Sequence, residues 1–430
     1  MTPGARLAAA IEVLADIETR RRPAPDALKD WGLARRFAGS KDRAAIASLV
    51  YDALRRRASA AWIMGEATPR AVLLGMLRLQ RDMSPDAVAA LASGEGHAPP
   101  PLTEDERARL MAPSLEGAPA HVAGDAPEWV LPSLARAFGD DLVPELQALA
   151  RRAPTDLRVN RLKAARRALQ DAAPHLGLTE APQAPDGLRL WPGEDGRGPA
   201  LQAEPEFLEG WFEIQDEGSQ LAAILAGARS GETVIDLCAG GGGKTLALAA
   251  LMGDQGRLVA TDGDPRRLAP IHARLARAGV TIAEIRTPRG RADPVADLDG
   301  TADLVLVDAP CTGSGTWRRN PDAKWRLRPG SLAQRVAQQA AVLDRAAALA
   351  RPGGRVVYVT CSVLPEENDD GVAAALGRHP SLAPVAAGTV LAGAGLGTLR
   401  EAVRLTAHGL QMTPHRTGTD GFYVAALTKG

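Results

Sequence analysis

The sequence predicts an α/β protein: a doubly wound sheet behind an all-helical N-terminal domain, with a small α+β subdomain between them. Three observations carry this. From about residue 213 onward, apolar strand-like runs alternate with stretches of helical period. Residues 4–91 hold apolar positions at helical spacing only. The stretch between mixes short extended runs with turn residues.

The helical domain comes first. Leu7, Ala10, Ile11, Leu14 and Ile17 fall on one helix face, and Ile46, Leu49, Val50 and Leu54 on another. Ser84 followed by Pro85 reads as an N-cap with proline in the first turn. Gly and Pro crowd 92–127, which reads as a linker, so the helical domain is drawn as 1–127. The subdomain is drawn as 128–212. It has a helix near 128–151, an extended LRVN at 157–160 and a turn-rich stretch at 184–200.

The third domain, 213–430, holds strands at 233–239, 257–262, 281–286, 304–310 and 355–361, and a late strand at 422–427 pairing with 410–412. Helices are expected at 265–278, 331–350 and 365–377. Such alternation implies a mostly parallel sheet, in which ligands collect at the carboxyl ends of the strands.

A chain of 430 residues with 45% apolar content exceeds one typical core. Three cysteines without a CxxC spacing support neither a disulfide framework nor a metal site. The first residues contain acids and lack a long apolar run, and no stretch reaches the ~20 apolar residues of a membrane span. A cytoplasmic monomer is the expectation. Net charge is zero, yet residues 1–70 carry 13 Lys/Arg against 8 Asp/Glu. That local excess could meet phosphates or could be a solvated helix face.

All three cysteines follow strand-like runs. VIDLCAGGGGKT, which holds Cys238, is a strand, a glycine turn and a helix start. It is not a P-loop, because the position six before Lys244 is Cys238 and not glycine. Asp262, ending the second strand about 20 residues on, is placed for ribose hydroxyls. A turn without a lysine-cradled phosphate suits S-adenosylmethionine, and a nicotinamide dinucleotide stays possible on the loop alone, although CAGGGG fits GxGxxG poorly. Asp308 closes an apolar strand and needs a partner there, which a cationic cofactor would supply.

Cys311 follows the fourth strand and Cys361 the fifth. If those strands are neighbours, their ends lie roughly 5 Å apart. Two thiols beside a methyl donor fit methylation at pyrimidine C5, where a thiolate adds to C6 and makes C5 nucleophilic. Between the cysteines, Arg318, Arg319, Lys324, Arg326 and Arg328 interleave with Trp317 and Trp325. Cations with stacking aromatics suit single-stranded nucleic acid, so Arg318, Arg319 and Lys324 are the expected RNA contacts. The alternative is that the tryptophans only anchor a loop.

DLCAGGGGKT, DAPCTGSG, RRNPDAKW, TCSVLPEEN and GTDGFYVAAL, in this order, resemble the RsmB/NSUN-type RNA cytosine-5 methyltransferases. LRVN and IQDEGSQ resemble the segment before that family's Rossmann-like methyltransferase sheet, and residues 35–56 resemble a NusB-like RNA-binding domain. The resemblance implies Cys361 as nucleophile, Cys311 in product release and 16S ribosomal RNA as substrate. It also implies S-adenosylmethionine as cofactor, held by Cys238, Ala239, Gly240, Gly241, Gly242, Gly243, Lys244, Asp262 and Asp308. The family's acid near the adenine has Arg289 in its place, with Asp293 four residues on. Two alternatives stay open: a DNA cytosine-5 methyltransferase using Cys311, and a non-catalytic RNA-binding assembly factor.

Overall fold

The computed structural model describes residues 1–191, 193, 198–290 and 292–430. The chain forms two compact units. One comprises 1–152 with Gly193 and 317–327, and the other comprises the described residues of 153–192, 198–316 and 328–430.

The first unit is helical. Its helices include α1 (Pro3–Arg20), α2 (Ala24–Ala34), α3 (Ser40–Arg55), α4 (Arg57–Met64), α5 (Pro69–Leu79), α6 (Pro85–Leu91), α7 (Glu104–Met111), α8 (Ala120–Ala123), α9 (Leu131–Phe138) and α10 (Leu142–Ala150). The apolar faces read from the sequence meet in one core, where Leu7, Leu14, Ile46 and Val50 are wholly buried. Ser84 caps α6 by accepting from the Ala87 amide.

Two expectations change here. The region 92–127 is not a loose linker. Thr103 and Glu106 form a capping box on α7, and Arg70 pairs with Glu106 at 2.7 Å. The boundary falls after Arg152 and not at 127, because α9 and α10 join the helical unit. Gly124 makes this possible: a Cβ there would lie 2.5 Å from Leu146 Cβ on α10.

The second unit holds two sheets. The small antiparallel one is built from β1 (Thr155–Val159), β2 (Thr179–Glu180), β3 (Gly187–Leu190) and β4 (Phe212–Ile214), in the order β2-β3-β1-β4. Part of the turn-rich stretch expected at 184–200 lies outside the described residues. This sheet is tied to the large one by buried polar groups. Arg189 pairs with Asp156 at 2.7 Å and Glu217 at 2.9 Å, and Asn160 Nδ2 donates to the Ala278 carbonyl at 2.9 Å. It is therefore part of the second unit and does not stand as a separate domain.

The large sheet comprises β5 (Thr233–Asp236), β6 (Arg257–Ala260), β7 (Ala283–Ile285), β8 (Ala302–Asp308), β9 (Ala350–Thr360), β10 (Leu382–Pro384), β11 (Arg404–Leu405), β12 (Leu410–Met412) and β13 (Phe422–Lys429). Its order is β11-β12-β13-β9-β8-β5-β6-β7, with β10 also on β13. β7, β6, β5, β8 and β9 are parallel, whereas β13 is antiparallel to β9. Val234, Leu304, Val305, Leu306 and Val357 are shielded on both faces, as a parallel sheet requires. The helix expected at 265–278 is two, Pro265–Leu268 and Ile271–Ala278, since Pro270 interrupts the ladder.

Candidate active site

The doubly wound order puts five loops at one edge: those after β5, β6, β7, β8 and β9. They line a cavity of about 890 Å³, along with residues of the helix Pro329–Leu349. Cys238, Asp262, Asp308, Cys311 and Cys361 all reach it.

The loop after β5 is shaped by its glycines. Gly240 and Gly242 have φ of 51° and 84°, where other residues are strained. A Cβ on Gly242 would lie 2.4 Å from Ile271 Cγ1. Gly240 N donates to Asp262 Oδ2 at 2.9 Å, and Asp264 N to Asp262 Oδ1 at 2.8 Å. Ala239 N donates to the Thr261 carbonyl at 2.9 Å, stitching this loop to the end of β6. The carbonyl of Gly241 accepts from Arg274 and that of Gly243 from Arg158, at 2.6 and 2.8 Å. Arg158 belongs to the LRVN segment, which thus braces the cofactor loop. The Cys238 thiol is pushed well above its usual range by burial, then by the charges of Asp236, Asp262 and Asp308. Both effects disfavour its thiolate form, and the residue lines the cavity wall.

Asp308 has a partner other than the one expected. Lys244 Nζ reaches its Oδ2 at 2.7 Å, so the two carried-over residues form a pair. Beneath them Asp236 is fully buried, accepting from Thr245 Oγ1 at 2.7 Å, and burial lifts its carboxyl to about 7. Asp293 does border the cavity, held by Arg345 at 2.6 Å, while Arg289 is exposed and absent from its lining.

β8 and β9 are direct neighbours with Asp308 opposite Val359, which sets the two cysteine loops side by side. Cys311 Sγ lies 3.3 Å from Cys361 Sγ. The Cys311 thiol is held well above its usual range, first by its hydrogen bond with Cys361, then by burial and by the charges of Cys361 and Glu367. The loops are tied to each other by Gly315 N to the Cys361 carbonyl at 2.9 Å, and by Val363 N to Ser314 Oγ at 2.9 Å. Glu367, missed in the sequence, is buried between them; its signal was an acid two residues past a proline in TCSVLPEEN.

Of the three expected RNA contacts, Lys324 and Arg318 are buried in the helical unit. Lys324 is only 1% exposed, in the helical unit. Its Nζ donates to the carbonyls of Arg55 and Asp125, at 3.1 and 2.6 Å. Burial drops its ammonium to about 7. Arg318 is also buried, its carbonyl accepting from Arg55, and Arg319 is half-buried. Trp325 donates from Nε1 to the Leu54 carbonyl at 2.7 Å, and Trp317 is buried. Both tryptophans anchor the segment, Trp317 by burial and Trp325 through this hydrogen bond.

Comparison with known proteins follows the same geometry. The family model described as "16S rRNA methyltransferase RsmB/F" matches residues 223–428. Ribosomal RNA small subunit methyltransferase B of Erwinia tasmaniensis is 32% identical over 92% of each chain. The chain belongs to the RsmB/F methyltransferase family. The crystal structure of PH0851 matches 100% of this chain and 99% of its own at a TM-score of 0.72 and 25% identity. A methyltransferase homolog protein from Pyrococcus horikoshii shares the fold over 72% of this chain and 98% of its own, at a TM-score of 0.58 and 24% identity.

As an RsmB/F methyltransferase, the protein takes S-adenosylmethionine as its cofactor. The donor set fits. A glycine turn without a phosphate-facing cation, an acid at the end of β6 for ribose hydroxyls and acids for a sulfonium and an ammonium group line one cavity. Among the described residues no cluster of His, Cys, Asp and Glu could hold a metal, and no helix is long and apolar enough to cross a membrane.

Proposed function

We propose that this protein methylates C5 of a cytosine in 16S ribosomal RNA, with Cys361 as nucleophile and Cys311 assisting release. The observation that carries the reading is the pair of thiols 3.3 Å apart at neighbouring strand ends, opening on the cofactor cavity. The ribosomal substrate rests on the names of the relatives.

C5 of cytosine is a poor nucleophile. Thiolate addition of Cys361 to C6 pushes the ring electrons onto C5, which can then take a methyl group. S-adenosylmethionine, when bound, supplies that methyl as an electrophile. A base must then remove the C5 proton, and the electron pair expels the Cys361 thiolate. Cys311, whose thiol is held protonated by its surroundings, stands where it can return a proton to the departing sulfur. Asp262 and Asp293 hold the cofactor, while Lys244 keeps Asp308 aligned.

The test uses labelled S-adenosylmethionine with matched RNA and DNA. Cys361→Ala is expected to abolish transfer to RNA, and Cys311→Ala to accumulate a covalent RNA–protein adduct. Full activity in the first variant would sink the assignment. Equal transfer to DNA, dependent on Cys311 alone, would favour the DNA reading. Bisulfite sequencing of RNA from a deletion strain identifies the cytosine.

A further inference from the structure

Between the two cysteine loops lies a carboxyl group that the chemistry above does not use. Glu367 is wholly buried, and among the described residues no Lys, Arg or His forms an ion pair with it. Four donors converge on its two oxygens. Thr312 N and Gln339 Nε2 reach Oε1 at 2.8 and 3.0 Å. Thr312 Oγ1 and Ser362 Oγ both reach Oε2 at 2.5 Å.

The placement of those donors matters more than their number. Thr312 follows Cys311, and Ser362 follows Cys361. One carboxyl group therefore holds the residue after each thiol, on loops from two different strands. The contact is short and doubled at Thr312, through backbone and side chain, so it fixes main-chain position as well as rotamer. Gln339 adds a second tie: the same amide nitrogen donates to the Pro310 carbonyl at 2.9 Å, on the other side of Cys311. Glu367 is itself anchored through its own carbonyl, which accepts from Tyr358 Oη at 2.7 Å. Asn368 completes the frame from the Cys361 side, donating to the Ser362 carbonyl at 3.0 Å and accepting from Thr360 Oγ1 at 2.6 Å.

A buried carboxyl group is costly unless every acceptor is satisfied. A structural acid on the surface of a loop would not need this arrangement. We infer that Glu367 is a positioning residue for the methyl transfer: it clamps Thr312 and Ser362 so that the Cys311 and Cys361 thiols are held at their working separation. It touches neither thiol and works through the residues that follow them. Its charge adds to the factors that keep the Cys311 thiol protonated, which suits a release group. The inference rests on the proposed roles of the two cysteines, but the spacing of the thiols can be measured without them.

The experiment has two arms on the full-length protein. In the first, 2,2′-dithiodipyridine oxidises the two thiols to a disulfide, releasing two molecules of pyridine-2-thione. Its formation between Cys311 and Cys361 is followed by mass spectrometry. The wild type is expected to close this bond quickly, and Glu367→Ala at least about tenfold more slowly, since the loops lose their common tie. In the second, RNA methyl transfer by Glu367→Ala is expected to fall about 100-fold in kcat, the scale of a misplacement near 1 Å, with the KM for S-adenosylmethionine little changed.

Glu367→Gln keeps the shape and an acceptor for the Thr312 amide. It is expected to restore closure of the disulfide and to lower the pH at which Cys311 is alkylated by iodoacetamide, a change that a merely structural role would not produce. If Glu367→Ala does not fold, Thr312→Val carries the test by deleting one clamp hydroxyl, with the same direction in both arms. Wild-type closure and wild-type kcat in a folded Glu367→Ala or Thr312→Val protein would overturn the inference. Were Cys361→Ala fully active while closure still slowed in Glu367→Ala, the clamp would stand and the cysteine chemistry would fall.

Discussion

Two adjacent segments, Asp308 to Thr316 and Trp317 to Leu327, use their polar residues in opposite ways. The first sets Asp308, paired with Lys244, and Cys311, beside Cys361, on the cavity, while Thr312 holds the buried Glu367 behind it. The second carries the denser charge, yet turns much of it inward. Lys324 ends on two carbonyls, Trp325 on a third, and Asp322 accepts from the Ala24 amide at 3.2 Å. The unit boundary falls between them at Thr316. A basic run with tryptophans therefore reads as a nucleic-acid surface only until the hydrogen-bond partners are known. Here they are backbone groups of the helical unit.

The contrast can be broken by substitution. The largest effect is expected in the first segment's partner loop: Cys361→Ala should lower RNA methyl transfer at least roughly 1000-fold without changing the melting temperature, as measured by label transfer and calorimetry. Lys324→Met should do the reverse. It strands two carbonyls and removes one of the two charges, with Arg56, that favour the buried Asp125 carboxylate, so urea unfolding should show a loss of about 2–4 kcal/mol. Should the salt dependence of RNA binding also flatten in that variant, Lys324 would be a phosphate contact after all.

The pH dependence separates the segments again, with opposite signs. Lys324 has a folded pKa of about 7, below its ordinary value of 10.5. The unfolded chain binds more protons in that window, so its contribution to stability rises with pH from about 7 to 10.5 and is lost as pH falls to 7. Asp236, beneath Asp308, is raised from 3.8 to about 7. Its contribution is present below about pH 4 and is lost as pH rises to 7. Lys324→Met should remove the first slope and Asp236→Asn the second in denaturation curves taken across pH. The smallest effect is expected for Arg326→Ala. Arg326 is 40% exposed and pairs with Asp322 at 3.1 Å, so less than about 1 kcal/mol should be lost.

Much of the fold was legible because period is a local property. Alternating strand and helix patterns located β5, β6, β8, β9 and β13 to within a few residues, apart from the early start of β9 at Ala350, and the cysteines and acids at their ends followed. The Gly/Pro-rich 92–127 misled because composition suggested a linker, while Asp125 is buried and accepts from the amides of Ala58 and Ser59 and from the Ser59 hydroxyl. The division at 127 failed for a related reason: nothing local in 128–151 says which core its helices join.

By itself the sequence determined the strand-end thiols, the glycine turn and the acids at the ends of the strands. Those follow from residue type and from the rule that parallel strands gather ligands at their carboxyl ends. Only the tertiary structure decided which charges are available. It gave Asp308 to Lys244, buried Lys324 and Arg318, and set Glu367 between Thr312 and Ser362. The physical reason is that a charge is spent by whichever partner lies within about 3 Å, and that partner is often hundreds of residues away along the chain.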